Sequence, residues 1–289
     1  MTKLPSAYKS AKARDKALAF YNASLAHWPV AYESRLISTS FGEIFVMISG
    51  HAEAKPLVLL HGGGGNSTMW IYNIENLSQY FRVYSIDIIG EAGKSAATRP
   101  LYESKEHAQW LKEVFDALRI KQAALCGASL GGTLAHQFAL VYPESVTALI
   151  LLAPPSLGKM RPGFLFRAIL ANMLPTLFAK KFLEYISSRG SSFPEWAIQG
   201  FVAQIQAYKP NMNKIPLVSN NDLSRFPAKT LVLIGQDEIL YNNLNDVVAR
   251  IRSVAPHITI MILPDAKHMI SVDQPVLVNE KIIHFLNNK

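Results

Sequence analysis

Short apolar runs recur along the chain at Pro56–Leu60, Arg82–Asp87, Gln122–Cys126, Val146–Leu152, Thr230–Ile234 and Ile258–Leu263. Runs that are apolar at nearly every position are buried on both faces, as in parallel sheets covered by helices. Between them, residues 104–118, 130–142, 243–254 and 274–287 have the spacing of amphipathic helices. Such strand–helix alternation predicts a doubly wound α/β sheet. Ahead of it, segments 32–38 and 43–49, broken by Ser40-Phe41-Gly42, predict a β-hairpin, and residues 6–27 predict an N-terminal helix.

Residues 156–226 interrupt the alternation. Segments 164–174, 177–186 and 195–208 have helical spacing, with a capping box expected at Ser192-x-x-Glu195 and Pro194 in the first turn. Their apolar residues are bulky: Phe164, Phe166, Met173, Phe178, Phe182, Tyr185, Trp196, Phe201 and Tyr208. Most of these pack the segment onto its neighbours. A helical insertion between two strands nevertheless predicts a cap over the carboxyl edge of the sheet, where open α/β sheets bind ligands. The expected division is a core of residues 1–155 and 227–289 and a cap of residues 156–226.

Composition narrows the function. With 49% hydrophobic and 17% charged residues among 289, the chain folds and has room for a partly exposed apolar surface. Its net charge of +8 is uneven. Five basic residues and one acidic lie in the first sixteen positions, and ten basic against three acidic lie from Lys159 to Lys229. Neither region carries a nucleic-acid-reading motif, so no nucleic-acid partner is expected. A solvated basic surface is the plainest reading, ahead of attraction to anionic substrates or lipid surfaces. One cysteine, Cys126, excludes an internal disulfide and by itself cannot build a zinc site. No stretch approaches the roughly 20 apolar residues of a membrane span, so no stable membrane insertion is expected. The charged N-terminus lacks the apolar core of a secretory signal, and the expected location is cytoplasmic. Monomer and homodimer are both compatible with the sequence.

The strongest chemical signal is Gly127-Ala128-Ser129-Leu130-Gly131, a G-x-S-x-G motif between an apolar strand and a helix-compatible run. It predicts Ser129 on a tight strand-to-helix turn, at a helix N-terminus whose free N–H groups favour a developing anion. A serine needs a base. Among the histidines, His268 alone directly follows the last strand, where a loop can return it to the sheet edge. The acid should end the preceding strand, which selects Asp237, with Glu238 as its rival and Asp265 as a weaker one. Ala153-Pro154-Pro155 leave no carboxylate after the strand ending at Leu152. The loop His61-Gly62-Gly63-Gly64-Gly65 supplies a backbone N–H opposite the serine, expected at Gly63 with Gly64 next, to pair with the N–H of Leu130 in an oxyanion hole. Gly90-Glu-Ala-Gly93-Lys94-Ser95 ends like a phosphate-binding loop but lacks its first glycine.

These motifs together resemble the α/β-hydrolase superfamily from about residue 35 onward. The N-terminal helix, Ser67-Thr-Met-Trp70, Asp87-Ile-Ile-Gly90 and Gln274-Pro275 through Asn279-Glu280 are similar to bacterial carboxylesterases of the naproxen-esterase type. The resemblance implies an eight-stranded, mostly parallel sheet, a helical cap, no cofactor or metal, and hydrolysis through an acyl-enzyme. The turn after Asp87 departs from the family's D-x-x-G-x-G-x-S, with Gly90 and Gly93 one residue further apart, so a reshaped loop is expected. Aspartate-nucleophile chemistries of this fold are disfavoured by Ser129. The expected substrate is a small, neutral, apolar ester, with Gly64, Trp70, Met160 and Trp196 as candidate pocket residues. Carbon–carbon hydrolysis, thioester hydrolysis or acyl transfer on the same triad, or ligand binding without turnover, are the alternatives.

Overall fold

The computed structural model describes residues 7–174 and 176–288. After helix α1 (Ala11–Leu25) come β1 (Tyr32–Thr39), β2 (Gly42–Ser49), β3 (Lys55–Leu60), α2 (Ile74–Ser78), β4 (Phe81–Ile86), α3 (Glu106–Ala117), β5 (Ala123–Ala128), α4 (Leu130–Val141) and β6 (Val146–Leu152). The insertion follows, with α5 (Pro162–Met173), α6 (Thr176–Ile186), α7 (Glu195–Ala207) and α8 (Asn220–Ser224). The sheet then resumes with β7 (Thr230–Gly235), α9 (Leu244–Val254), β8 (Thr259–Leu263), α10 (Ile270–Asp273) and α11 (Pro275–Asn287).

Among the described residues one eight-stranded sheet runs β1-β2-β4-β3-β5-β6-β7-β8. β1 pairs antiparallel with β2, and β2 with β4; every later pair is parallel. β5 and β7 are buried throughout and β3 and β6 along most of their length, and alternate side chains supply two cores. Val58, Leu60, Leu125, Leu149, Leu151 and Val232 pack with Trp110, Phe115 and Phe138 of α3 and α4. Leu57, Leu59, Ala124, Cys126, Ile150 and Leu231 pack on the opposite face with Trp70, Ile74 and Ile282. That two-residue period explains why these strands read as unbroken apolar runs.

Two local expectations change. The N-terminal helix begins at Ala11, capped by the Ser10 side chain on the Ala13 N–H. Residues 7–9 instead form an isolated antiparallel bridge between Tyr8 and Tyr208: the Lys9 N–H donates to the Ala207 carbonyl and the Lys209 N–H to that of Ala7. Position 6 lies outside the described residues. The capping box at Ser192 does not form. Pro194 itself takes the N-cap position, extended at φ −62° and ψ 150°, and Ser192 is exposed outside the helix.

Candidate active site

Ser129 sits between β5 and α4 at φ 48°, a left-handed conformation that costs a non-glycine residue of order 1–3 kcal/mol and clusters at functional sites. Its glycines make the turn possible. A Cβ on Gly127 would collide with the Gly131 carbonyl, and one on Gly131 with the carbonyls of Leu60 and His61. The Ser129 N–H is anchored on the Leu152 carbonyl at 2.8 Å.

His268 arrives from the loop after β8. Its Nε2 stands 3.1 Å from Ser129 Oγ, and its Nδ1 is 3.1 Å from both carboxylate oxygens of Glu238. The expected acid, Asp237, is exposed, and its N–H bonds the Ala266 carbonyl; the carboxylate on the imidazole is that of Glu238. The correction follows from the turn. Glu238 closes it with an N–H bond to the Gly235 carbonyl, and the next residues, Ile239, Leu240 and Tyr241, are buried, so position 238 is the one directed inward. Its fully buried carboxylate also accepts from the Leu240 N–H at 2.8 Å. Asp265, the other rival, has φ 51° and is a turn residue. Gly235 lets this loop approach that of His268, since a Cβ there would strike the carbonyls of Ala266 and Lys267.

Burial alone would lower the imidazole pKa, but the charge and hydrogen bond of Glu238 outweigh it and hold His268 above its ordinary value of 6.5. The insertion contacts this histidine and its loop. The N–H groups of His268 and Met269 donate to the Ile186 carbonyl, Lys267 N–H donates to Ser188 Oγ, and the Phe164 ring meets the imidazole edge-on at 5.5 Å. Phe164, Phe201, Ile205 and Met269 surround a small cluster of Ala171, Phe182, Ile186 and Ile239 beside it.

The glycine loop is fixed by His61, which is fully buried. Its Nε2 accepts from the Ile88 N–H at 2.9 Å, which leaves the proton on Nδ1 to donate to the Gly62 carbonyl at 2.8 Å. Burial lowers the pKa of His61, so the ring stays neutral. The Gly65 N–H holds the same carbonyl. A trans peptide points its N–H opposite to its C=O, so pinning the Gly62 oxygen turns the Gly63 N–H the other way. Gly62 borders Ser129 Cβ and Gly63 borders Leu130, within 3.6 Å of where a Cβ would stand. Leu130 opens α4, so its N–H has no carbonyl one turn earlier.

Gly64, the second choice for that donor, is committed elsewhere. Its N–H donates to Glu91 at 2.5 Å, and its carbonyl accepts from Gln204 of α7. Glu91 is 2% exposed and also receives the hydroxyls of Tyr102 and Tyr208. Burial outweighs these donors and raises its pKa. Glu91, in the lengthened stretch between Gly90 and Gly93, therefore holds a carboxylate against the glycine loop. Glu91 and Gln204 were not singled out in the sequence; the departure in glycine spacing was the available signal. Lys94 and Ser95 of the phosphate-loop decoy serve packing: the ammonium lies 4.6 Å from the Tyr21 ring centroid and Ser95 Oγ donates to the Asp87 carbonyl.

The other pocket candidates lie elsewhere. Trp70 is fully buried in the sheet core, too large and apolar to stay at the open edge. Trp196 stacks on His27 at 4.2 Å, lining a surface groove with Pro29, Tyr72 and Val276. Met160 bridges to Tyr241 and packs against the first core. Phe164 meets the imidazole, and Ile239 and Met269 belong to the small apolar cluster that Phe164 packs against; Phe164 was visible only as one bulky apolar residue among many. Among the described residues no cluster of three or more potential metal ligands occurs.

A model of the α/β hydrolase fold family matches residues 55–174. The uncharacterized carboxylesterase nap of Bacillus subtilis (strain 168) is 33% identical over 288 residues, covering 92% of this chain and 91% of that protein. Carboxylesterase YbfK of the same organism is 31% identical over 274 residues, with 92% of each chain covered. Among solved structures, naproxen esterase from Bacillus subtilis superposes with a TM-score of 0.87 at 31% identity, covering 96% of this chain and all of that one. Carboxylesterase CesB (YbfK) gives 0.88 at 29% identity, covering 96% and 99%. A likeness of that extent, joined to the serine elbow and its histidine, shows that the chain belongs to the α/β-hydrolase family, with bacterial carboxylesterases as relatives over nearly its whole length.

Proposed function

We propose that the protein is a carboxylesterase in which Ser129 is the nucleophile, His268 the general base and acid, and Glu238 the carboxylate that orients the imidazole. The observation that carries this is the placement of His268 within 3.1 Å of both Ser129 Oγ and the Glu238 carboxylate. His268 Nε2 takes the hydroxyl proton as Oγ attacks the ester carbonyl, and the N–H groups of Gly63 and Leu130 stabilise the oxyanion. The imidazolium then protonates the leaving alkoxide and the acyl-enzyme forms. Water, deprotonated by His268, releases the acid and restores Ser129.

The insertion serves as the cap of this site. Phe164, Phe201, Ile239 and Met269 favour a neutral, apolar acyl or aryl group of medium size. A chain with one buried free thiol is compatible with a cytoplasmic location. The test is hydrolysis of a short p-nitrophenyl ester by wild type and Ser129→Ala, with fluorophosphonate labelling of Ser129. Loss of both turnover and labelling in a folded Ser129→Ala supports the reading, and retained hydrolysis defeats it. An acyl thioester and a vinylogous diketone assayed in parallel separate ester cleavage from the related chemistries.

A further inference from the structure

The outer side of the α5–α6 hairpin combines exposed apolar side chains with positive charge. Leu165, Phe166, Met173, Leu174, Leu177 and Phe178 are all exposed, Phe166 by 61% and Met173 by 73%. Phe166 and Met173 are seven residues apart and share one stripe of α5. Leu174, Leu177 and Phe178 carry that surface around the hairpin end into α6. The inner sides of the same helices are already occupied, by Ala171, Phe182 and Ile186. Single exposed apolar residues need no explanation, but six within fourteen positions form a surface that marks a partner.

Charge says which partner. From residue 159 to 189 there are six basic residues and one acidic, Glu184. Arg161, Arg167 and Lys181 are exposed, while Lys180 stands 4.0 Å from Glu195. The fold adds the second basic segment to the first. Helix α1, with Lys12, Arg14 and Lys16, packs on α7, as α5 and α6 do, and Lys9 Nζ reaches the Asn172 carbonyl near the end of α5. Outside residues 1–16 and 159–189 the chain has 18 basic and 19 acidic residues, so its excess positive charge lies in these two segments.

We propose that this face docks the protein peripherally on an anionic lipid surface. A second copy presenting the same face would set like charges against each other. A lipid surface instead receives Leu, Phe and Met at the headgroup boundary and attracts flanking lysines and arginines. No helix among the described residues is long and apolar enough to cross a membrane, so the attachment is superficial. α5 carries Phe166 outward and Phe164 inward against His268, so docking sets the insertion over the candidate site at a reservoir of apolar esters.

Co-sedimentation with vesicles tests docking without requiring turnover. Vesicles of equal parts phosphatidylglycerol and phosphatidylcholine should pellet the wild type, and phosphatidylcholine alone or raised salt should weaken binding about tenfold or more. The double variants Phe166→Ser/Leu177→Ser and Lys180→Glu/Lys181→Glu should each lose binding by about tenfold or more and keep wild-type hydrolysis of a soluble short ester. A wild type that stays in the supernatant with anionic vesicles, or variants that bind as it does, would overturn the proposal. So would a dimer in solution that Phe166→Ser/Leu177→Ser disperses, because the face would then belong to a second copy. Vesicle binding by a wild type that hydrolyses no ester would retain the docking surface and sink only the esterase reading.

Discussion

Glu238 and Asp237 are adjacent carboxylates, and what separates them is burial. One is sealed with His268 and the other is in water. Glu238→Gln replaces an acceptor with an amide that can donate to Nδ1, which disturbs the productive tautomer. Hydrolysis should fall roughly 10³–10⁴-fold, as for loss of the acid in other triads. Asp237→Asn should leave kcat near wild type and stability within about 0.5 kcal/mol. Steady-state kinetics of the pair decide the assignment; equal defects would return the acid to Asp237. The same ion pair sets the pH dependence. His268 must be neutral to accept the serine proton, so kcat/KM rises with pH through a midpoint above 6.5. In Glu238→Gln the burial effect is unopposed, and the midpoint of the residual activity should move downward. An unchanged midpoint would mean that Glu238 does not raise the imidazole pKa. Beneath the glycine loop, Glu91→Leu leaves the Gly64 N–H and two tyrosine hydroxyls without their acceptor. A stability loss of about 2–5 kcal/mol is expected. If Gly64 helps hold Gly63 in place, kcat should also drop about tenfold or more. Glu91→Gln keeps a carbonyl oxygen and should recover most of both, read by denaturant midpoint and by kcat against KM.

At the scale of elements, the β5–α4 elbow depends on contacts that admit no side chain. Gly131→Ala would drive a methyl into the carbonyls of Leu60, the last residue of the strand next to β5, and of His61 just after it, and backbone cannot swing aside as a flexible side chain would. A loss of about 3 kcal/mol or more in denaturant unfolding is expected, at the upper end of overpacking costs, and an unaltered midpoint would mean that the turn is looser than its geometry. This elbow was legible in the sequence for the reason it is fragile: only glycines fit, so the motif announces itself. The parallel strands were legible too, because burial on both faces writes apolar runs, as at Leu57–Leu60 and Leu231–Ile234. Chain order sufficed to select His268. It did not resolve 237 from 238, because a turn of one residue decides which carboxylate enters; the apolar Ile239-Leu240-Tyr241 after Glu238 was the overlooked cue. The pocket residues were less legible still. Trp70 and Trp196 share bulk and apolarity with Phe164, and only tertiary contacts show which of them meets the imidazole.

The whole molecule joins two interiors of unequal size. The sheet is packed on both faces by large clusters, and the ends of the insertion join one of them through Leu157, Val218, Leu223 and Phe226, whereas α5 and α6 place Ala171, Phe182 and Ile186 in a small cluster of their own. Gln204 bonds Gly64 and Asn66 of the core, Ile186 and Ser188 at the end of α6 bond the loop of His268, and within the insertion Asn172 ties α5 to the carbonyls of Ile205 and Tyr208. Local opening follows the density of buried apolar contacts, so different parts of one fold open at different free energies. Amides of α5 and α6 should therefore exchange with deuterium well before those of β5 and β6. Because Phe164 lies on His268 and Ile186 receives its N–H, occupying the site should restrain both helices. A phosphonate bound covalently to Ser129 should slow exchange in α5 and α6 and leave β5 and β6 unchanged. Exchange in the insertion as slow as in the central strands, or insensitive to the phosphonate, would mean that these helices are part of the rigid core rather than a separately opening cover over Ser129.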